Sequence, residues 1–455
     1  MTPDSGPPGR AGFTGAGGVT GAGGVTDATD TRKVTGFAGK RLALVESMLH
    51  SAFYDGIHAA RDLGCEIWLL VQGVEWYTDG KPFDDHPLAR VDKVIHTDTH
   101  DPGAIIDAVT DTDGRPQVDG ILSFSDYHTE ATAVVAESLG LPSQGLEAVT
   151  AANHKHVLRG LLGDDPANVP HFLVTSPDEV REAIRRVGLP LIAKPPSEAI
   201  SYGVRKCHDE SEATAAYEEL SSFKRSLRGQ PRPGHVLFEQ YVPGTEISVE
   251  SMTAGGVTHF YGATSKDLHR TTMLEEAHSF PVQLPPGTWE QVTAAVDRTL
   301  RAIGYRQGPA HTEVKLTGDG PKIIEVNTRL PAHMISTMVA DVCGANPHLV
   351  AKLLALGGDP SPGLVGEGVT PAAAVVVLFP DRPGVLTAVR GIDRAEENEG
   401  VVVTLHADPG ATVASRLDNS ASVGFVYAHA ETAGAALAKA RHAASLITVE
   451  THEED

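Results

Sequence analysis

Between Arg41 and Leu139, short apolar runs alternate with helix-period stretches, and this alternation restricts the fold more than any other feature of the chain. Strands are expected at Arg41–Glu46, Glu66–Gln72, Lys93–His96 and Gly120–Phe124. Phe53, Ile57, Ala60 and Leu63 space one helical face, and a second helix is expected near Thr129–Leu139. Strands separated by helices cannot pair as hairpins, so they form a parallel sheet with helices on both faces.

This unit accounts for a fraction of the 455 residues, and a chain of that length implies about three domains. We divide it into a tail (1–38), an N-terminal α/β domain (39–150), a central domain (151–362) and a C-terminal domain (363–455). The tail repeats GAGGVT at 15–20 and 21–26, which buries too little apolar surface to offset ordering, and it is read as disordered. It lacks the apolar core of a signal peptide. The longest apolar run, Ala372–Phe379, is a buried strand, far short of the roughly 20 residues a membrane-spanning helix needs. A net charge of −22 argues against a nucleic-acid surface. Cys65, Cys207 and Cys343 have no CxxC spacing, which fits a reducing cytoplasm.

The central block starts with alternating helix and strand: helix Asn153–Leu162, strand His171–Val174, helix Pro177–Val187, strand Leu191–Lys194. It then turns strand-rich, with Val236–Tyr241, Glu246–Met252, Val257–Tyr261, Gly308–Leu316 and Lys322–Asn327. The last block has strands at Ala373–Phe379 and Val401–Leu405 and a closing helix near Thr432–Ile447.

Chemistry concentrates in the segment His311–Arg329. Two alternating strands flank a Gly-Asp-Gly turn, which marks a hairpin. Glu325, Asn327 and Arg329 share one face of the second strand, and His311, Glu313 and Lys315 one face of the first. If the register pairs these faces, two carboxylates and an amide oxygen converge as hard ligands suited to Mg²⁺. A hairpin with one solvated face explains the same pattern. Elsewhere, Glu239 and Glu246 flank a Pro-Gly turn and could accept from a nucleoside's amine and ribose hydroxyls, or simply edge a hairpin. Lys194 ends an apolar strand and Lys155 begins a helix, where each could neutralise phosphate or be an ordinary surface lysine.

Taken in order, Lys155, Leu189-Pro-Leu-Ile-Ala-Lys194-Pro, Glu239-x-x-Val242-x-Gly-x-Glu246, Glu313 and Glu325-x-Asn327-x-Arg329 resemble the ATP-grasp superfamily. The resemblance implies an α/β and α+β protein with an ATP-grasp fold, an N-terminal α/β (pre-ATP-grasp) domain and a C-terminal lid-like α+β domain. It implies ATP held with its phosphates on Lys155 and Lys194, its adenine by Glu239 and the backbone at Val242, and its ribose by Glu246. Glu313, Glu325 and Asn327 would hold two Mg²⁺ ions, with Mn²⁺ as a substitute. Within the superfamily, Leu274-Glu-Glu-Ala-His-Ser-Phe-Pro281 resembles the substrate segment of bacilysin-type L-amino-acid ligases. That likeness implies that Glu275 and His278 contact the amine substrate, Arg329 the carboxylate or oxyanion, and His333 the first substrate's side chain. The catalytic residues would be Arg329, His278 and Glu275, and the partners a small-molecule carboxylate and amine. Family members are often homodimers. One departure is the loop Pro195–Gly203, which has a single glycine and two prolines where the family carries several glycines. Competing readings are activation of bicarbonate or formate, a kinase that stops at phosphorylation, and a non-catalytic ATP-binding protein.

Overall fold

In the computed structural model, the described residues are 36–46, 57, 60–61, 63–78, 83–85, 87–268, 274–413 and 421–452. The GAGGVT repeat and Phe53 lie outside them.

Strands β1 (Arg41–Val45), β2 (Glu66–Val71), β3 (Lys93–His96) and β4 (Gly120–Leu122) form the parallel sheet expected from the alternation, in the order β3-β2-β1-β4. β1 and β2 are almost wholly apolar and buried, as a sheet covered on both faces requires. The carboxyl end of β4 leads through Asp126 into the helix Thr129–Ser138 and so faces the central block.

The central block holds two antiparallel sheets. In the smaller, β5 (His171–Val174), β6 (Leu191–Lys194), β7 (Arg205–Cys207) and β8 (Val236–Gln240) run in the order β5-β8-β6-β7. The helices Val180–Val187 and Glu210–Ser221 cover it, burying Val180, Ala183, Val187, Ala213 and Leu220 against Val174, Leu191 and Phe238. In the larger, β9 (Thr245–Ala254), β10 (Val257–Ser265), β13 (Gly308–Thr317) and β14 (Gly320–Asn327) run β10-β9-β13-β14. One face packs Ile247, Val249, Val314, Ile323 and Val326 on the helix Thr288–Ala302. Each such side chain contributes about 1.5–3 kcal/mol on burial. The other face is left for polar chemistry.

The remaining strands do not respect the division at 362. Strands β11 (Asp267–Leu268) and β12 (Glu275–Phe280) join β15 (Ala372–Leu378), β17 (Val401–Leu405) and β19 (Gly424–Ala430) in one sheet ordered β11-β12-β15-β19-β17. A small sheet of β16 (Gly384–Arg390), β18 (Thr412–Val413) and β20 (Thr448–His452) completes the chain. The sequence pattern missed β12 because Glu-Glu-Ala-His-Ser-Phe does not alternate in polarity; its pairing with the all-apolar β15 makes it a strand. The expected helix Asn153–Leu162 is present as Lys155–Leu162, and a helix not read from the sequence, Leu146–Asn153, precedes it across His154.

The central block is tied together by Arg159, which is fully buried on the helix Lys155–Leu162. Its Nε donates to Glu239 Oε1 at 2.7 Å, Nη1 to the carbonyl of Ile323 at 2.7 Å and Nη2 to that of Ile324 at 2.8 Å. Removing one partner of a buried ion pair leaves the other charge uncompensated. Arg159→Ala is therefore expected to cost about 3–5 kcal/mol in urea unfolding, whereas removing the solvated Arg181–Glu210 pair by Arg181→Ala should leave the midpoint unmoved.

Candidate functional site

The hairpin register is the one the metal reading needed. Glu313 lies opposite Glu325 and His311 opposite Asn327. A β-bulge then intervenes, since Val314 pairs with Ile323 and leaves Ile324 unpaired. The bulge resets the alternation on β14. Ile323 and Val326 both enter the core, while Ile324 and Glu325 both face the cleft. The bulge carbonyls are the ones that Arg159 grips, so the local irregularity is held from below by a buried fork. The strict alternation expected for β14 is thus replaced by a bulged one, and Arg329 lies beyond the strand's end at Asn327.

A cleft of about 940 Å³, open to solvent, lies between the two central sheets. It is lined by Lys155, Lys194, Glu239, Val242, Glu246, Glu275, Glu313 and Glu325 among the residues singled out from sequence. Asn327, His278, Arg329 and His333 are not in its lining. Asn327 is nearly buried. Arg329 donates from Nε to Asp126 Oδ1 at 2.5 Å and from Nη1 to the carbonyl of Leu330 at 3.0 Å. Burial works against its charge, but Asp126 outweighs this and stabilises it.

Phosphate-type residues are organised by ion pairs. Lys194 Nζ lies 2.6 Å from Glu239 Oε2, and Glu239 Oε1 takes the Arg159 bond. Burial pushes the Glu239 carboxyl up, but Arg159 and Lys194 outweigh it and hold it down to about 2. Both Glu239 oxygens already have protein partners, so its structural work is to hold Lys194. Lys155 Nζ lies 3.2 Å from Glu325 Oε1 and donates to the carbonyl of Glu198 at 2.8 Å. Glu198 sits in the loop after β6, where it also takes a bond from Tyr127 and lies 3.0 Å from Arg232. The glycine-poor loop is thus pinned at its middle. Gly244 follows Pro243 with φ +147°, and a Cβ there would meet the Leu316 carbonyl at 2.2 Å. Its bare backbone lets the Pro-Gly turn, and with it Glu246, lie against the metal-candidate hairpin.

Two participants had no clear sequence signal. Lys266, in a polar stretch after β10, is buried with its ammonium on Glu313, 3.0 Å from Glu275 Oε1 and 3.4 Å from Glu246 Oε1. Burial opposes its charge, yet these three carboxylates raise it well above the usual lysine range. Asp126 follows the carboxyl end of β4, where open parallel sheets place ligand-contacting residues. Arg159 could have been found, because it lies four residues from Lys155 and so on the same helix face.

A further cluster surrounds Glu275. Its Oε2 lies 3.1 Å from His333 Nδ1 and 3.3 Å from His278 Nε2, and the two ring nitrogens are 3.2 Å apart. Lys266 takes its other oxygen. Burial pushes Glu275 up, but Lys266 and the two rings outweigh it and keep it well below the ordinary carboxylate range. His333 and Met334 both adopt left-handed backbone, φ 52° and 59°, a conformation that costs of order 1–3 kcal/mol per residue unless the surroundings impose it. That turn brings His333 to β12.

Comparison with known proteins agrees with this architecture. Residues 57–143 match the ATP-grasp N-terminal domain, 187–338 the ATP-grasp domain and 376–452 the L-amino acid ligase C-terminal domain 2. The chain is 28% identical over 361 residues to protein y4rH of Sinorhizobium fredii, covering 77% of this chain and 72% of that one. It is 29% identical over 362 residues to carnosine synthase 1 of Gallus gallus, covering 74% of this chain and 38% of that protein. In fold it is similar to the L-amino acid ligase of Bacillus licheniformis, with a TM-score of 0.76 at 20% identity over 91% of this chain and 100% of that one. Family models thus place ATP-grasp domains and a domain of the L-amino acid ligase C-terminal type in this chain, and the proteins it resembles include alanine–anticapsin ligase of Bacillus subtilis, 24% identical over 231 residues, 47% of this chain and 48% of that protein. Enzymes of this family use ATP with Mg²⁺ or Mn²⁺, and the oxygen donors of Glu313, Glu325 and Asn327 fit such hard cations. No helix among the described residues is long and apolar enough to cross a membrane.

One neighbouring pair sets a pH dependence. His311 Nδ1 lies 2.9 Å from Glu250 Oε2. Burial pulls the imidazole down, but Glu250 outweighs it and raises His311 from 6.5 to about 9; Glu250 itself is lowered below 4.5, with His311 outweighing burial. A raised histidine contributes stability that is full below its unfolded value and is lost as pH rises through its folded one. A lowered carboxyl contributes above its unfolded value and is lost on acidification. Wild type should therefore exceed His311→Gln in metal-free thermal unfolding most clearly between pH 4.5 and 6.5, with the margin closing as pH rises through about 9.

Proposed function

We propose that the protein joins a small-molecule carboxylate to an amine, most simply two amino acids, through an acylphosphate, releasing ADP and phosphate. The observation that carries this reading is one cleft lined at once by two phosphate-type lysines, the Glu313–Glu325 pair and Glu275 of the amine segment. ATP would place its phosphates at Lys155 and Lys194, its adenine by Glu239 and the backbone at Val242, and its ribose at Glu246. Glu313, Glu325 and Asn327 would hold two Mg²⁺ ions, which neutralise charge on the transferring phosphoryl group. Lys155 on Glu325 and Lys266 on Glu313 keep these carboxylates compensated before any ligand arrives.

In the first step a carboxylate oxygen of the acid bonds the γ-phosphorus, and the bond to the β,γ-bridging oxygen breaks to release ADP. The acid, a poor electrophile as a carboxylate, is now a mixed anhydride. In the second step the amine nitrogen bonds the acyl carbon, and inorganic phosphate leaves. Arg329, fixed by Asp126, stabilises the oxyanion between these events. The amine must lose a proton. Glu275 stays anionic and anchors the ammonium, whereas His278 can accept its proton. His278 Nδ1 faces the carbonyl of Ser265 at 3.0 Å, so that nitrogen carries hydrogen and Nε2 presents its lone pair. His333, held by the left-handed turn, borders the first substrate's side chain.

The cysteines are free thiols, which supports a reducing cytoplasm, and a homodimer is proposed on the family resemblance alone. ADP and phosphate release with pairs of amino acids tests the reaction. Glu325→Ala should lower turnover by more than about 100-fold; wild-type ADP formation in that variant would refute the metal assignment. Substitution of His333 should change which carboxylate is accepted. Activity with bicarbonate or formate and none with amino acids would instead support the carboxylase-type reading.

A further inference from the structure

The Glu275–His278–His333 cluster is too tight for the role of ammonium holder alone. Its three facing atoms form a nearly equilateral triangle with edges of 3.1, 3.2 and 3.3 Å. An ammonium donating to three acceptors at about 2.8 Å along tetrahedral directions holds them roughly 4.6 Å apart. A tetrahedral ion with bonds of about 2.0–2.1 Å holds its ligand atoms roughly 3.3 Å apart. The triangle has the second size.

Proton counting leads the same way. In the neutral ring the Ser265 carbonyl takes the His278 Nδ1–H, and Nε2 then points a lone pair at the other two atoms. With both rings neutral, His333 Nδ1–H is the one proton that they place inside the triangle, against three close contacts. An added cation resolves the crowding of lone pairs. The outer contacts suit a ligand set as well. Metal-binding histidines commonly donate their second N–H to a carbonyl, which His278 does, and Lys266 meets Glu275 at Oε1, the oxygen outside the triangle. His278 is fully buried and His333 nearly so, while Glu275 lines the cleft and gives the site its entrance.

We propose that Glu275, His278 and His333 form a site for one transition-metal ion of the zinc class, distinct from the oxygen-donor site at Glu313, Glu325 and Asn327. Two imidazoles and one carboxylate select borderline ions over Mg²⁺. The fourth position opens toward the cleft. The ion takes the same His278 lone pair and Glu275 oxygen as the amine substrate, so it opposes ligation by excluding the amine. This second consequence rests on the proposed ligase function; the site itself does not.

The test uses untagged full-length protein stripped with a chelator and held in excess Mg²⁺ to fill the oxygen-donor site. Titration with Co²⁺ should give one equivalent of binding with the visible absorption of a four-coordinate ion, and Zn²⁺ should bleach it. The bands should vanish in His278→Ala and in His333→Gln and persist in Glu325→Gln, with circular dichroism confirming that each variant is folded. Absence of bands in wild type, or their persistence in both histidine variants, would overturn the site. In steady-state assays Zn²⁺ should raise the apparent KM for the amine at least tenfold while leaving kcat unchanged. If Co²⁺ binds as expected but the amine KM does not move, the metal site stands and the assignment of the amine to Glu275 and His278 fails.

Discussion

Arg159 is the interaction on which the rest of the catalytic block depends. One guanidinium, without exposure to water, bonds a carboxylate on the small sheet and two carbonyls on the large one. The carboxylate, Glu239, fixes Lys194, and the carbonyls are those of the bulge that turns Glu325 into the cleft. Arginine suits this position because its planar fork satisfies three acceptors in fixed directions, which a lysine cannot do. A buried cation is tolerated because each of its nitrogens has a short bond. Lys194 and Glu325 are thereby positioned by one buried side chain.

Above this floor the cleft is a charge-balanced assembly. Glu313 has Lys266 and His311, Glu325 has Lys155, and Glu246 has Lys266 and Lys315. Burial acts against the charges of Glu313 and Lys266, and opposite charges at hydrogen-bond distance outweigh it; Glu313 is held down to about 2 in this way. Glu239 and Glu313 are thereby held ionised by protein partners alone. In a chain with net charge −22 the compensation of these carboxylates is therefore local.

The residues proposed to meet the amine depend on a different sheet. Glu275 and His278 lie on β12, whose neighbour β15 comes from the last hundred residues of the chain. The C-terminal block therefore supplies the backbone that pairs with the Glu275–Phe280 strand. His333 reaches the same point through two consecutive left-handed residues.

Much was legible in the sequence because it rests on local periodicity. Strand-helix alternation specified the parallel N-terminal sheet, the Gly-Asp-Gly turn specified the hairpin, and opposed acidic positions on its strands anticipated the pairing of Glu313 with Glu325. What the sequence could not show is what depends on residues meeting from afar. The bulge at Ile324 follows from no local pattern, because the carbonyls it frees are satisfied by Arg159, over 160 residues away. Lys266 carries no motif, and its importance appears once Glu246, Glu275 and Glu313 converge on it. By itself, the sequence determined which residue types face one side of each element. The tertiary structure alone decided which faces meet, because desolvation and opposite charge, acting across sheets, select the contacts that periodicity leaves open.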